Sequence, residues 1–321
     1  MTKAIEVNSP RTLTAEMPFE LAGLRLDQAM SALFPDYSRS RLQAWIRSGA
    51  ARVDGAMLPA KYRVLGGERV VLKAEAERVA VIAPEDIPLS IVHEDDTVLI
   101  LDKPAGLVVH PAAGHWDGTL QNALLHHCPA LAAVPRCGIV HRIDKDTSGL
   151  LMAAKTLTAH KSLVDQLQAR SVRREYYALV QGAMTGGGTV DGAIGRHAAD
   201  RKRFAVVGSG GKPAISHYHL AERFPNHTLI RVKLETGRTH QIRVHMAHIH
   251  HPLVGDPVYG GRLRIPAGAS GRLLGALRSF GRQALHAANL GIVHPQAGEY
   301  LEWHSPLPAD FSALLDALRE G

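Results

Sequence analysis

Between Gly138 and Leu151 the sequence GIVHRIDKDTSGLL crowds His141, Arg142, Asp144, Lys145, Asp146, Thr147 and Ser148 between apolar flanks. His141, Asp144 and Ser148 are the residue types of a hydrolytic triad. A triad, however, is a matter of geometry rather than proximity along the chain, and no G-x-S-x-G elbow accompanies them. Thr147 and Ser148 are expected instead to bond nearby backbone or to cap a helix beginning near Gly149. A second cluster, RVHMAHIHHP, gathers His245, His248, His250 and His251. Its spacing matches neither H-E-x-x-H nor a Cys/His zinc pattern, so no bound metal is expected. The loop GSGGKPA carries proline where a phosphate-binding loop has Ser or Thr after its lysine, so no nucleotide cofactor is expected. What remains is Asp144, set between Arg142 and Lys145. Neighbouring cations favour the charged form of a carboxylate, and an ionised, fixed carboxylate can act as a nucleophile. The residues alone do not choose between Asp144 and Asp146.

The elements around these groups are legible from periodicity. Leu26, Ala29, Met30 and Leu33 recur at helical spacing, and Pro35 ends that helix. Ser38 or Ser40 caps a second helix with Leu42, Trp45 and Ile46 on its apolar face and Gly49 as its stop. Arg39, Arg41 and Arg47 fall mostly off that face and are free to point at a ligand. RVDGAML reads as a strand, an Asp-Gly turn and a second strand; GGERVVLKA adds another. Farther on, TVLIL, EYYALVQG and TLIRVKLET read as strands, DKPAG as a turn and TLQNALLHHC as a helix. Strands and helices do not alternate regularly, so the fold class is α+β, with a mixed, largely antiparallel sheet and flanking helices. The domain boundaries expected are a loose tail over 1–16, a small basic module over 17–75, a linker over 76–86 and a catalytic domain over 87–321.

Composition narrows the partners. The 321 residues are 45% apolar, enough for two domains with buried cores. No apolar run is long enough to span a membrane, the first residues lack the apolar core of a signal peptide, and two cysteines do not make a disulfide scaffold. A cytoplasmic monomer is expected. The formal net charge is +7, and from Arg39 to Lys73 eight Lys and Arg stand against two acids, Asp54 and Glu68. So one-signed a surplus favours a nucleic acid.

The order and residue types of 18–75 resemble the αL RNA-binding motif. HRIDKDTSGLL resembles the active-site motif of the pseudouridine synthases that modify large-subunit ribosomal RNA. LDKPAGLVVHP, RREYYALVQG and LETGRTHQIRVHMAHIHHPLVGDPVYGG resemble further motifs of that family, in its order, and RQALHAANLGIVHP with LEWHSPLP resembles its C-terminal strands. The resemblance spans about 18–318. It implies conversion of uridine to pseudouridine without a cofactor, on large-subunit ribosomal RNA or the assembling subunit, with transfer RNA as the alternative substrate. It selects Asp144 as the essential carboxylate, which either adds to C1′ or assists proton loss at C2′. It makes Tyr176 the residue that stacks on the target base, and Arg243 the partner of Asp144, with Arg238 as the competing candidate. Arg142 would fill the space of the flipped uridine, and Leu253 and Val254 would wall the pocket. Arg201, Lys202 and Arg203 would add a second RNA contact beside that of the N-terminal module.

Overall fold

The structure is a computed structural model that describes residues 4–7, 11–74, 77–80, 82–111, 116–200 and 203–321. It divides into two compact units, Met1–Val81 and Ile82–Gly321.

In the first unit, α1 (Leu26–Leu33) buries Leu26, Ala29 and Met30. The side chain of Ser38 accepts the Arg41 amide at the start of α2 (Arg39–Ser48), and Gly49 ends α2 with a φ of 79°. Leu42, Trp45 and Ile46 complete the helical half of the core. A three-stranded antiparallel sheet supplies the other half. It comprises β2 (Arg11–Glu16), β3 (Ala51–Val53) and β4 (Arg69–Ala74), with β4 in the middle. Val70, Leu72 and Ala74 alternate inward along β4, which fixes its register. Two expectations are corrected here. Residues 11–16 are not tail: RTLTAE pairs along its whole length with β4, from Arg11 opposite Ala74 to Glu16 opposite Arg69. Its alternating Leu13 and Ala15 pack against the core. The first part of the expected linker is likewise a strand, since β5 (Glu77–Ala80) pairs with β1 (Ala4–Val7). After the turn at Asp54 and Gly55, the expected second strand is a single bridge from Val53 to Ala56.

The second unit is built on a nine-stranded sheet. Its strands are β6 (Ile91–Glu94), β7 (Val98–Lys103), β8 (Ser148–Ala154), β9 (Arg173–Gln181), β10 (Gly188–Asp191), β13 (Ile215–Arg223), β14 (His227–Leu234), β15 (Leu285–Val293) and β16 (Tyr300–His304). They run in the order β10-β13-β14-β9-β15-β8-β7-β6, with β16 also paired to β15. Among the described residues only β8 and β15 pair in parallel, so the sheet is mixed and largely antiparallel. A separate hairpin joins β11 (Ile194–Arg196) to β12 (Phe204–Val206).

Alternation along the strands sends side chains to two faces. Ala178 and Val180 of β9 face the core that includes Leu120 and Leu124 of α3 (Leu120–His127) and Ile242 and Met246 of α5 (Gln241–His248). Leu179 faces α6 (Gly271–Ser279) and α7 (Ala309–Arg319) through Leu277, Phe311 and Leu314. Farther along the sheet, Ile100 and Met152 pack against Leu163 of α4 (Leu157–Gln168). No helix begins at Gly149, contrary to the sequence expectation. That segment is β8, buried at every position. Gly149 has a φ of 110°, and a Cβ there would lie 2.2 Å from the Ala287 carbonyl oxygen. The close approach of β15 therefore requires glycine.

Candidate active site

Asp144 sits on the loop that leads into β8, and α5 brings Arg243 to it. The Arg243 guanidinium donates from Nη1 to Asp144 Oδ2 at 2.9 Å. Its other edge grips Asp256 with two bonds, Nε to Oδ2 at 2.7 Å and Nη2 to Oδ1 at 2.9 Å. Asp256 is buried, and its Oδ1 also accepts the Val258 and Tyr259 amides. The bidentate grip fixes the guanidinium plane, so the remaining nitrogen meets Asp144 in one orientation. Burial works against the charge of Arg243, but the hydrogen bonds and charge of Asp256, with Asp144 adding to them, push its pKa above the ordinary arginine range. Of the two arginines that the sequence offered, Arg243 is the one at the carboxylate. The Arg238 side chain donates to the Pro213 carbonyl at 3.0 Å, although the residue still lines the pocket.

Tyr176 projects from β9 into the same pocket and is buried. Burial raises its phenol pKa; Arg174 opposes that effect and Asp144 adds to it. A neutral, flat ring suits stacking better than proton abstraction. The pocket walls include Ile143, Leu234, Ile242 and Leu285. Leu253 and Val254 are not among them, which corrects the sequence expectation. Leu253 forms a bridge with Val180 and lies in the core, while the Val254 amide bonds the Leu179 carbonyl. Their strand-like pairing beside β9 turns both side chains into packing.

The loop over 144–147 is held from below. Lys103, at 1% exposure, donates to the carbonyls of Pro104 (2.7 Å), Leu107 (3.0 Å) and Lys145 (2.8 Å). Burial pulls its pKa down to about 7, with Asp146 and Asp144 opposing. Gln241 pins the opposite wall. It accepts from Thr236 Oγ1 and the Arg238 amide, and donates to the Ile215 carbonyl and Ser216 Oγ. The sequence had not singled out Lys103, Gln241 or Asp256. Their signal was only that polar residues stood inside otherwise apolar motif stretches.

Ser148 and Thr147 make side-chain bonds rather than caps. The Ser148 hydroxyl bonds His286 Nδ1 at 3.0 Å, and the Thr147 hydroxyl accepts from Gln283. His286 is 1% exposed and gives its Nε2 proton to the Ser305 carbonyl, which leaves the serine–histidine pair sealed in the core. In the histidine cluster, His245 bonds Ser216 and the Gly192 carbonyl, and His251 bonds the Gln181 carbonyl.

Arg142 is exposed and lines both this pocket and an adjoining cleft of about 970 Å³. That cleft also presents Arg136, Arg170, Arg174 and Arg238. Arg174 is 6% exposed, and its Nε has no partner among the described residues. In the first unit, Arg47 is exposed at the end of α2 and Arg41 stacks over Trp45 at 4.7 Å. Arg39, expected to face a ligand, is instead bound through Nε and Nη2 to the fully buried Asp27. Arg203 lies over Tyr259 at 5.4 Å. Arg201 and Lys202 fall outside the described residues.

A family model described as RNA pseudouridylate synthase matches residues 97–248, and one described as S4 domain matches residues 24–70. Ribosomal large subunit pseudouridine synthase D of Pseudomonas aeruginosa is 60% identical over 306 residues, which is 95% of either chain. The chain belongs to the RNA pseudouridylate synthase family. The protein of the same name from Escherichia coli strain K12 is 54% identical over 308 residues, 96% of this pseudouridine synthase and 94% of the relative. Among solved structures, human RNA pseudouridylate synthase domain containing 1 aligns with a TM-score of 0.54 at 27% identity. That alignment spans 74% of this chain and 97% of the human one. This synthase thus joins an N-terminal S4 RNA-binding domain to the catalytic domain, and none of its described helices is long and apolar enough to cross a membrane.

Proposed function

We propose that the protein isomerises specific uridines to pseudouridine in large-subunit ribosomal RNA, with Asp144 as the essential carboxylate. Full-length relatives named for that substrate support the RNA, and the Asp144–Arg243 ion pair beside the buried Tyr176 carries the site assignment. The reaction breaks N1–C1′, turns the base, forms C5–C1′, removes the C5 proton and protonates N1. Its composition is unchanged, so nothing is oxidised or transferred and no cofactor is required. Addition to C1′ and proton removal at C2′ both demand a carboxylate held in place, which Arg243 supplies.

The target uridine leaves its stack to enter the pocket, at a cost of a few kcal/mol. Arg142 stands at the mouth, where its side chain can take the vacated place, and Tyr176 receives the base. The arginine-lined cleft and Arg47 of α2 hold the backbone through phosphates. One chain carries Asp144, Tyr176 and Arg243, which supports action as a monomer, and a ribosomal substrate supports a cytoplasmic location.

Asp144→Asn keeps the shape of the side chain and removes its charge. We expect this variant to bind ribosomal RNA as the parent does but to release no tritium from RNA labelled at uridine C5. Release at the parental rate would overturn the assignment.

A further inference from the structure

We propose that His240 is a positioning residue for Asp144, locked as its Nε2–H tautomer by a hydrogen-bond chain that begins at the Phe204 amide. The inference rests on the reading of Asp144 as the reacting carboxylate. The Phe204 N–H donates to the Tyr259 hydroxyl oxygen at 3.1 Å. Tyr259 has one proton of its own, and its oxygen lies 2.8 Å from His240 Nδ1. Among the described residues that proton has no other acceptor, so it goes to Nδ1, which accepts it. A neutral imidazole carries one N–H, so the proton sits on Nε2. Burial favours this neutral form by lowering the His240 pKa, which Asp144 partly opposes and Arg243 reinforces.

Nε2 lies 3.9 Å from Asp144 Oδ1, the oxygen opposite the one that Arg243 holds. A closure of about 1 Å brings the pair to hydrogen-bond distance. The carboxylate would then have a donor on each oxygen, which fixes its plane as well as its position. The other tautomer would turn a lone pair toward the carboxylate and repel it. The backbone is shaped for this placement. His240 takes a left-handed conformation (φ 57°, ψ 23°) at the start of α5, which is uncommon outside glycine. The Phe204 and Tyr259 rings contact its imidazole edge to face at 5.8 and 5.6 Å.

The test uses the full-length protein and steady-state kinetics on ribosomal RNA, with three variants. His240→Leu removes the donor, and we expect kcat to fall about tenfold or more with KM changed by less than about twofold. His240→Gln restores an N–H near the Nε2 position and should recover most of that loss. Tyr259→Phe frees the tautomer and should lower kcat by an intermediate factor. Nitrogen NMR of the imidazole in the RNA-free protein should report Nε2–H in the parent and a mixture of tautomers in Tyr259→Phe. Equal losses in the Leu and Gln variants, or Nδ1–H in the parent, would overturn the proposal. An active Asp144→Asn would instead overturn the reading beneath it, while the NMR result would stand.

Discussion

His141, the first polar group of the motif GIVHRIDKDTSGLL, accepts the Met152 amide through Nε2 at 3.0 Å and must be neutral there to do so. Burial, with Arg174 adding to it, lowers its pKa from 6.5 to about 3. The unfolded chain therefore binds a proton that the folded chain refuses. The stability that this histidine contributes is fully present above 6.5 and is lost progressively as pH falls toward 3. A shift of this size corresponds to at most about 5 kcal/mol. His141→Gln keeps an acceptor that does not titrate. Urea unfolding of both proteins from neutral pH down to about pH 4 should show the parent losing stability more steeply; parallel profiles would contradict the linkage. Resemblance had singled out Asp144 in this stretch, and the structure distinguishes its neighbours by what each one touches. Ser148 and Thr147 are the instructive cases, because their partners, His286 and Gln283, lie far along the chain and left no local trace.

At the scale of elements, the turn after β7 and the loop before β8 are two pieces of chain fastened by one ammonium group. Below about pH 7 Lys103 carries three protons, one for each of its three carbonyl partners. Lys103→Met fills a similar volume and leaves three carbonyls short of a donor, although the Gly106 amide still reaches the Lys145 oxygen. We expect a loss of about 2–5 kcal/mol, seen as a lowered Tm, and a fall in kcat greater than any rise in KM. A Tm within about 1 °C of the parent would show that the turn and loop do not depend on this side chain. The helices here were legible from sequence, because capping is local: Ser38 and Gly49 announced the ends of α2. The choice between Arg238 and Arg243 was not local. It depends on α5 beginning at Gln241 and on Asp256 gripping one edge of a guanidinium. Leu253 and Val254 failed for a similar reason, since an apolar pair near a motif looks the same whether it lines a pocket or fills a core.

Over the whole molecule, the irregular alternation of strand-like and helix-like segments carried the α+β class and the mixed sheet, and the one-signed surplus of charge marked the RNA-binding end. The boundary at the N-terminus was misread, although its signal was present. RTLTAE alternates with period two, as a half-buried strand does, but its polar half made it resemble a tail. The placement of β2 against β4 has a consequence for anyone trimming the protein. Deleting the first sixteen residues would strip one side of β4, leaving a row of unpaired amides and carbonyls from Arg69 to Ala74 together with the apolar surface under Leu13 and Ala15. Such an edge recruits a strand from another molecule. The shortened protein should self-associate as its concentration rises, visible by light scattering, whereas a truly dispensable tail would leave it monodisperse.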